Sequence, residues 1–327
     1  MQRNRYKIAF IGAGSIGTAL GNIITETGNN NVILHSIETS VVDSINSNRV
    51  NYKYFPSQRL DPGLRATTEN SALTNADVIF LAIPSLILMD YLESIRNEMS
   101  TTAILVNLAK GFGQGNKTII QCLQEKFSNP VCTLKGPSFA KEIINRIPTG
   151  FTLGYSDERS KEVISDIFNG TPISLDYTKD LIGAELLSIL KNMYAIVLGI
   201  VDAQFDSPNI RFLILTKAFN EMKNVLLMYQ GEEETLFKYC GYGDFTMTSL
   251  NDLSRNRTLG LLIGKGFFTE HVSHELVLEG KIAVNIFFEE ISKVRNVSQE
   301  FPIIAELYKI LNQKYDISGF VSTVLSF

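Results

Sequence analysis

The feature that most constrains the fold is a glycine-rich segment, GAGSIG at residues 12–17, near the start of the 327-residue chain. An apolar run of β-type composition precedes it directly, and the residues after it repeat apolar side chains at helical spacing. A GxGxxG loop between a strand and a helix is typical of sites that bind the pyrophosphate of a dinucleotide. In such a loop Gly12 permits the tight turn, Gly14 lets a phosphate approach the backbone, and Gly17 lets the helix pack on the strand.

Apolar runs rich in Val, Ile and Leu continue through the first half of the chain, separated by polar or helix-like stretches. Runs of this kind are typical of parallel strands that are covered by helices on both faces. With the run at 6–11, they lie at 31–36, 77–83, 103–109, 130–136 and 149–155. Helical patterns then dominate, at 180–204, 209–229, 232–240, 258–265, 273–290 and 302–313. We predict an α/β fold, with a Rossmann-like doubly wound parallel sheet over residues 1–179 and an all-α C-terminal domain over residues 180–327.

Composition narrows the class of partner and the compartment. The formal net charge is −4, and the lysines and arginines form no basic stripe, so we expect no nucleic acid or anionic membrane as partner. Three widely spaced cysteines without a CxxC pair indicate a reducing compartment. The start of the sequence does not resemble a signal peptide, and we expect no membrane span. These features together predict a cytoplasmic protein.

The residues at the end of the second predicted strand indicate which dinucleotide the site prefers. The sequence there is LHSIETS, in which Glu38 is the one carboxylate and no lysine or arginine is nearby. A carboxylate at this point would bond a ribose hydroxyl of NAD, whereas NADP needs a cation for its additional phosphate. We therefore expect NAD, with NADP as the alternative.

Few histidines are available in this chain for metal binding or acid–base catalysis. There are three, and His271 and His274 share a helical spacing without a third ligand at a metal-binding distance in sequence. We expect no metal site, and we expect the proton-transfer residue to be something other than histidine.

Lys191 is a candidate for that role. It lies with Asn192 inside an apolar run from Ile182 to Ile200. An ammonium without a partner in apolar surroundings costs several kcal/mol, and desolvation lowers the pKa of a lysine towards neutral pH. The pattern by itself fits equally a lysine at the rim of a buried helix, whose ammonium reaches water.

Two polar segments favour the catalytic interpretation. GYGDFTMT at 241–248 and LSRNRTLG at 253–260 both have loop-like composition, and Asp244 follows a flexible Gly-x-Gly. Arg255 and Asn256 lie at the predicted start of a helix, where an arginine can bind a phosphate through two parallel hydrogen bonds.

The ordered set of motifs resembles the soluble NAD(P)-dependent glycerol-3-phosphate dehydrogenases over nearly the whole chain. The shared motifs are IGAGSIGTALG, LAIPS, LAKGF, KGPSFAKEI with IPTG, ELLSILKNMYAIVLGIVDA, GYGDFTMTSLNDLSRNRTLG, and LVLEGKIAV with FPII. The resemblance implies interconversion of dihydroxyacetone phosphate and sn-glycerol 3-phosphate by hydride transfer to or from a nicotinamide. It also implies a homodimer, a small phosphorylated substrate, and a place in glycerophospholipid metabolism.

The resemblance assigns roles to individual residues. Lys191 matches the proton donor and acceptor at the C2 oxygen, and Asn192, Asp244 and Thr248 match its polar neighbours. The matched substrate contacts are Lys110, Gly136, Ser138, Ser254, Arg255 and Asn256. The matched cofactor contacts are Gly12, Gly14, Ser15, Ile16, Gly17, Glu38, Lys110, Ala140, Arg255, Val277 and Glu279.

Departures from the family pattern keep other functions open. Ala203, Phe205 and Ser207 stand where glycine or small residues are usual, and Leu86 and Ile16 replace a glutamine and an aromatic residue. One alternative is a dehydrogenase of the same fold that acts on a related short phosphorylated ketone or on a 2-oxo acid. Another, of a different class, is a non-catalytic dinucleotide sensor, which would have no need for a lysine, an aspartate and an arginine in this combination.

Overall fold

The computed structural model describes residues 6–267, 274–313 and 315–326, and for 274–279 it describes the backbone alone. The chain divides into two compact units, Met1–Glu185 and Leu186–Phe327.

The first unit contains an eight-stranded sheet. Its strands are β1 (Lys7–Ile11), β2 (Asn31–His35), β3 (Arg65–Thr67), β4 (Val78–Leu81), β5 (Ile104–Asn107), β6 (Val131–Lys135), β7 (Thr149–Tyr155) and β8 (Ile173–Thr178). Their order is β3-β2-β1-β4-β5-β6-β7-β8, and all neighbours are parallel except β6 and β7. The chain adds β2 and β3 on one side of β1 and then adds β4 on the other side, so the strand order reverses at β1. In open α/β sheets, ligands bind at such a point, in the crevice beyond the carboxyl ends of the strands.

Helices cover both faces of this sheet, as the apolar strands predict. They are α1 (Ser15–Glu26), α2 (Thr39–Asp43), α3 (Ser85–Ser94), α4 (Ile119–Lys126), α5 (Ala140–Ile144) and α6 (Glu158–Phe168). Successive strand residues point to opposite faces, so Phe10 belongs to one buried cluster and Ile11 to the other. Phe10 and Phe80 stack with ring centroids 4.6 Å apart. The Rossmann-like fold is confirmed, with one antiparallel pair and two strands, β3 and β8, that the sequence did not predict.

The second unit is helical, as predicted. Its helices are α7 (Leu181–Gln204), which begins in the first unit, α8 (Pro208–Met228), α9 (Asp244–Leu250), α10 (Arg255–Gly264), α11 (His274–Ser292), α12 (Val297–Glu300), α13 (Pro302–Asn312) and α14 (Phe320–Leu325). The prediction of one helix over 232–240 is wrong, because the chain forms a 3-10 turn at Glu233–Phe237 and a π-type turn at Tyr239–Gly243. Gly241 permits the bend, since a Cβ there would lie 2.2 Å from the carbonyl oxygen of Leu236.

Glycines let α7 and α10 approach closely. A Cβ on Gly260 would lie 1.9 Å from the carbonyl oxygen of Ile196, and one on Gly199 would lie 2.2 Å from that of Arg257. The two helix backbones are therefore in direct contact. This contact places the start of α10 beside the second half of α7.

Among the described residues, α7 is the one helix long and apolar enough to span a membrane by length and composition, with a mean hydropathy of 1.6 over 18 residues. Inside the protein 94% of that window is buried. Core helices of globular proteins have the same composition. Two charged residues of α7, Glu185 and Lys191, are buried and ion-paired.

Candidate active site

The glycine loop has the geometry that a bound pyrophosphate requires. Gly12 has a φ of +112°, and a Cβ there would lie 2.6 Å from the carbonyl oxygen of Ala82. A Cβ on Gly17 would lie 2.2 Å from the carbonyl oxygen of Gly12, so α1 packs directly on the loop. At Gly14 the nearest atom to an added Cβ is the Cζ of Tyr54, 4.0 Å away. The first and third glycines are thus required by packing, whereas the second faces open space.

The amino end of α1 is suited to bind an anion. Gly14 occupies the N-cap position, and no side chain among the described residues caps the helix. Ser15 is exposed and Ile16 half-buried at the first turn, where N–H groups and the helix dipole favour negative charge. The sequence did not predict a role for Asn51, whose Nδ2 donates to the carbonyl oxygen of Ala13 at 2.9 Å. These residues fit a dinucleotide phosphate.

The surroundings of Glu38 correct one expectation. Glu38 immediately precedes α2, and its backbone N–H donates to the Oγ of Ser36 at 3.1 Å. The expectation that no cation lies near Glu38 is wrong, because the Nζ of Lys53 lies 2.6 Å from its Oε2. Lys53 is fifteen residues further along the chain, so a search confined to the end of β2 did not find it.

A buried ion pair lies at the carboxyl ends of β5 and β6. The Nζ of Lys135 is 2.9 Å from Oε1 of Glu185, and both side chains are almost completely inaccessible to solvent. Asn107 Nδ2 donates to Glu185 at 2.8 Å, and the hydroxyl of Thr133 donates to it as well. This network was not predicted from the sequence, although Lys135 lies in an apolar strand as Lys191 lies in an apolar helix.

The predicted substrate contacts of the first unit follow these two strands. Lys110 is half-buried and directly follows Ala109, whose carbonyl oxygen accepts a hydrogen bond from the Nζ of Lys135. Gly136 is buried, and a Cβ there would lie 2.5 Å from the carbonyl oxygen of Gly150. Ser138 Oγ donates to the carbonyl oxygen of Gly136 at 2.9 Å. Ala140 is the first residue of α5, and Phe139 occupies the N-cap position without a side-chain cap.

In the second unit, Lys191 is buried, with 3% of its surface exposed. Its Nζ lies 2.5 Å from Oδ1 of Asp244 and 3.0 Å from the hydroxyl oxygen of Thr248. Asn192 is half-buried on the same helix. The alternative prediction, in which the ammonium of Lys191 reaches water at the rim of the helix, is therefore wrong.

Asp244 and Thr248 lie on a helix, where the sequence was interpreted as a loop. That interpretation of 241–248 is wrong from Asp244 onwards, since α9 runs over Asp244–Leu250. The glycines before Asp244 suggested a loop, but an aspartate in the first turn is stabilised by the helix dipole. Residues four apart share a helix face, so both side chains point at Lys191, and Phe245 packs against Tyr194 with ring centroids 6.3 Å apart.

The segment 253–260 is a loop as far as Ser254, and α10 then begins at Arg255, as the predicted helix start requires. Ser254 is buried, and its Oγ accepts from the backbone N–H of Arg257 at 3.3 Å. Arg255 is exposed and Asn256 is half-buried in the first turn. Arg257, for which the sequence predicted no role, pairs with Asp202 of α7 at 2.7 Å and so fixes the start of α10.

Some predicted positions fall outside the described side chains. Val277 and Glu279 lie on α11, but their side chains are not part of the described structure, and His271 lies in a segment outside it. Among the described residues no group of His, Cys, Asp and Glu could hold a metal ion.

The two units together define a class. A dinucleotide loop on a doubly wound sheet, followed by a helical unit with a buried lysine paired with an aspartate, is the arrangement of a two-domain nicotinamide-dependent dehydrogenase. Sequence comparison identifies the family. The N-terminal region of NAD-dependent glycerol-3-phosphate dehydrogenase matches residues 7–161 and its C-terminal region matches residues 180–322. The chain belongs to this family.

Individual relatives resemble the chain along its whole length. A glycerol-3-phosphate dehydrogenase (NAD(P)+) of Clostridium botulinum strain Eklund 17B is 31% identical over 95% of this chain and 94% of its own. One of Methanothermobacter thermautotrophicus is 32% identical over 96% of both chains. The crystal structure of glycerol-3-phosphate dehydrogenase from Coxiella burnetii superposes with a TM-score of 0.89, at 25% identity and over 99% of each chain. The resemblance noted in the sequence motifs is thereby confirmed.

Proposed function

We propose that the protein interconverts dihydroxyacetone phosphate and sn-glycerol 3-phosphate with NAD(H), and that NADP(H) is the alternative cofactor. The family and the names of the relatives support this reaction. The observation that carries it is the burial of Lys191 against Asp244 and Thr248. A chain that only senses a dinucleotide would have no use for a buried ammonium held in this way.

When bound, the nicotinamide supplies or accepts the hydride at substrate C2. Gly12, Gly14 and Gly17 would shape the loop for the pyrophosphate, and the N–H groups of Ser15 and Ile16 would donate to it. Glu38 would bond the ribose, and we assign further cofactor contacts to Lys110, Ala140, Arg255, Val277 and Glu279. The open space at Gly14 and the uncapped end of α1 support this assignment.

Lys191 moves the proton in this proposal. During reduction its ammonium donates a proton to the C2 oxygen as the hydride reaches C2, which gives the alcohol, and during oxidation the neutral amine takes that proton back. Asp244 stabilises the ammonium, Thr248 orients it, and Asn192 lies beside it. Positioned acid–base assistance is typically worth a factor of about 10² to 10⁴ in rate.

The remaining residues bind the substrate. We assign contacts with its polar groups to Lys110, Gly136 and Ser138. We assign the phosphate to Ser254, Arg255 and Asn256, because the amino end of a helix and an exposed guanidinium both favour a phosphate. A related short phosphorylated ketone would need the same phosphate site, whereas a 2-oxo acid would not.

The test compares Lys191→Met with the purified wild type, using dihydroxyacetone phosphate and NADH or NADPH. We expect kcat to fall by a factor of about 10² or more, while NADH binding measured by fluorescence titration stays unchanged. Lys223→Met is the matched control, because Lys223 pairs with Glu233 on the surface of the same unit. Near-normal kcat in Lys191→Met would contradict the assignment of the proton donor.

A second variant separates the candidate substrates. Arg255→Ala should raise the KM for dihydroxyacetone phosphate by about tenfold or more, since hydrogen bonds to charged groups contribute about 1.5–3 kcal/mol. An unchanged KM in Arg255→Ala, together with faster turnover of a 2-oxo acid by the wild type, would favour the 2-oxo acid alternative.

We also propose that the protein is a cytoplasmic homodimer. Closed dimers are the commonest assembly of soluble oligomers, and the three cysteines are buried and widely spaced in sequence, which suits a reducing compartment. Light scattering during size-exclusion chromatography would give the mass, and one chain has a mass of 36.5 kDa.

A further inference from the structure

The segment that carries Lys53 is attached to the glycine loop. Asn51 is completely buried, and its Nδ2 donates to the carbonyl oxygen of Ala13 and to the hydroxyl of Thr18, both at 2.9 Å. Three residues on, the ring of Tyr54 lies beside the open space at Gly14. The segment therefore has a fixed position next to the loop that fits a pyrophosphate.

Lys53 lies between these two anchors and reaches Glu38. The Nζ–Oε2 distance is 2.6 Å, with 53% of the lysine side chain and 39% of the glutamate side chain exposed. The hydrogen bond to Glu38 raises the pKa of Lys53, so its ammonium stays charged at neutral pH. Ile37, the residue before Glu38, is 78% exposed and carries no charge. Lys53 is thus the cation that the described structure pairs with Glu38.

The two charges have opposite consequences for the two dinucleotides. A carboxylate beside the adenosine ribose accepts a hydrogen bond from the 2′-hydroxyl of NAD but repels the 2′-phosphate of NADP. A lysine beside that carboxylate reduces this repulsion and can itself bind the phosphate as a point charge. Because both groups are partly exposed and the lysine chain is flexible, its ammonium can exchange one anion for the other at low cost.

We propose that Lys53 lets a single site accept both NAD and NADP. It pairs with Glu38 when the ribose carries a 2′-hydroxyl, and it turns to the 2′-phosphate when one is present. This inference rests on the proposed function, because it requires a dinucleotide on the glycine loop. It adds a specificity residue that lies outside the glycine loop and the end of β2.

The test is a direct fluorescence titration of the full chain with NADH and with NADPH, without substrate. Lys53→Gln should weaken NADPH binding by about tenfold, since it removes a charge-assisted hydrogen bond and exposes the phosphate to Glu38. NADH binding should change by no more than about threefold, because a partly exposed ion pair contributes little. Lys117→Gln is the matched control: Lys117 pairs with Glu125 at 2.7 Å, also on the surface of the first unit, and both affinities should stay unchanged.

A second variant tests the other partner. Glu38→Gln should weaken NADH binding and leave NADPH binding unchanged or tighter, so the ratio of the two dissociation constants moves opposite to that in Lys53→Gln. Added salt should weaken NADPH binding more steeply in the wild type than in Lys53→Gln, because one partly exposed phosphate contact has been lost.

The outcomes separate this inference from the function on which it rests. If the wild type binds a dinucleotide and Lys53→Gln weakens both dinucleotides equally, or neither, the role of Lys53 is wrong and the proposed function stands. If the wild type binds neither dinucleotide, the proposed function and this inference are both wrong.

Discussion

Glu221 gives the second unit a pH dependence that can be measured. It lies on α8 and is 5% exposed, and its two carboxylate oxygens accept the backbone N–H groups of Ile304 at 2.8 Å and of Ile303 at 3.1 Å. These groups belong to the first turn of α13, which no side chain at its N-cap position satisfies. Burial raises the pKa of Glu221 from 4.5 to about 8, although both hydrogen bonds act in the opposite direction.

The direction of the effect follows from proton linkage. The folded protein holds the proton of Glu221 more tightly than the unfolded chain, so this contribution to stability is fully present below pH 4.5 and is lost as pH rises towards about 8. One pKa unit corresponds to about 1.4 kcal/mol. The interval from 4.5 to about 8 therefore corresponds to a loss of about 5 kcal/mol in the free energy of unfolding.

The perturbation is Glu221→Gln, which keeps the shape of the protonated side chain and cannot ionise. At pH 5 we expect the variant to be less stable by about 1 kcal/mol, because an amide oxygen can replace one acceptor but the NH₂ group cannot replace the other. At pH 9 we expect the variant to be the more stable protein by several kcal/mol. The sign of the difference should therefore reverse between these two values of pH.

The assay is urea unfolding of wild type and variant, followed by circular dichroism at intervals of pH from 5 to 9. Because each comparison is made at one pH, the titration of all other groups cancels to first order. Hydrogen exchange at the amides of Ile303 and Ile304 reports the same equilibrium locally. A difference in stability that does not vary with pH would refute the reasoning.

Two further substitutions test the packing described above. Gly260→Ala should lower the free energy of unfolding by at least about 2 kcal/mol, because its Cβ would lie 1.9 Å from the carbonyl oxygen of Ile196. Gly319→Ala is the control, because a Cβ there meets no atom within 4 Å, and it should be nearly neutral in the same urea titration. Lys135→Met should cost about 3–5 kcal/mol by leaving Glu185 buried without its cation. The double variant Lys135→Met/Glu185→Gln should recover most of that loss, because the neutral amide oxygen can still accept from Asn107 and Thr133, and strictly additive effects would contradict the buried pair.

The extent to which the fold could be predicted depends on the length of each apolar run. Four of the six strands that the sequence predicts are runs rich in Val, Ile and Leu, which indicate buried strands directly, and the runs at 130–136 and 149–155 are less apolar. β3 has three residues, and β8 (Ile173–Thr178) includes a serine and an aspartate, so neither has a clear pattern. Both lie at the edges of the sheet, where one side of a strand has no neighbour and burial constrains its residues less. The domain boundary at residues 179 and 180 stays a prediction.

The candidate site was predictable where one short segment contains the whole signal. The glycine loop and the helix start at Arg255 are local patterns, and the structure has both at the predicted residues. Apart from Lys191 with Asp244, which the family resemblance implied, pairs formed by residues far apart in sequence were missed, because single-sequence patterns contain no information about tertiary contacts. Lys53 with Glu38 is one example, and Arg257 with Asp202 is another. α9 was missed for a local reason, since the glycines before Asp244 favour a loop and its seven residues are too few to show a helical period.

One physical criterion would have found more of the buried polar residues. A lysine within an apolar run must either reach water or be paired, because an isolated buried ammonium is too costly. That criterion singled out Lys191, and it applies equally to Lys135, which lies in the apolar strand β6 between Leu134 and Gly136. The structure pairs each of them with a buried carboxylate that is distant in sequence. Lys135 also donates to the carbonyl oxygen of Ala109, directly before Lys110, so its ion pair stabilises the backbone beside a predicted substrate contact. Lys191 is instead held by Asp244 and Thr248 of α9, so its ion pair positions the ammonium that we propose as the proton donor.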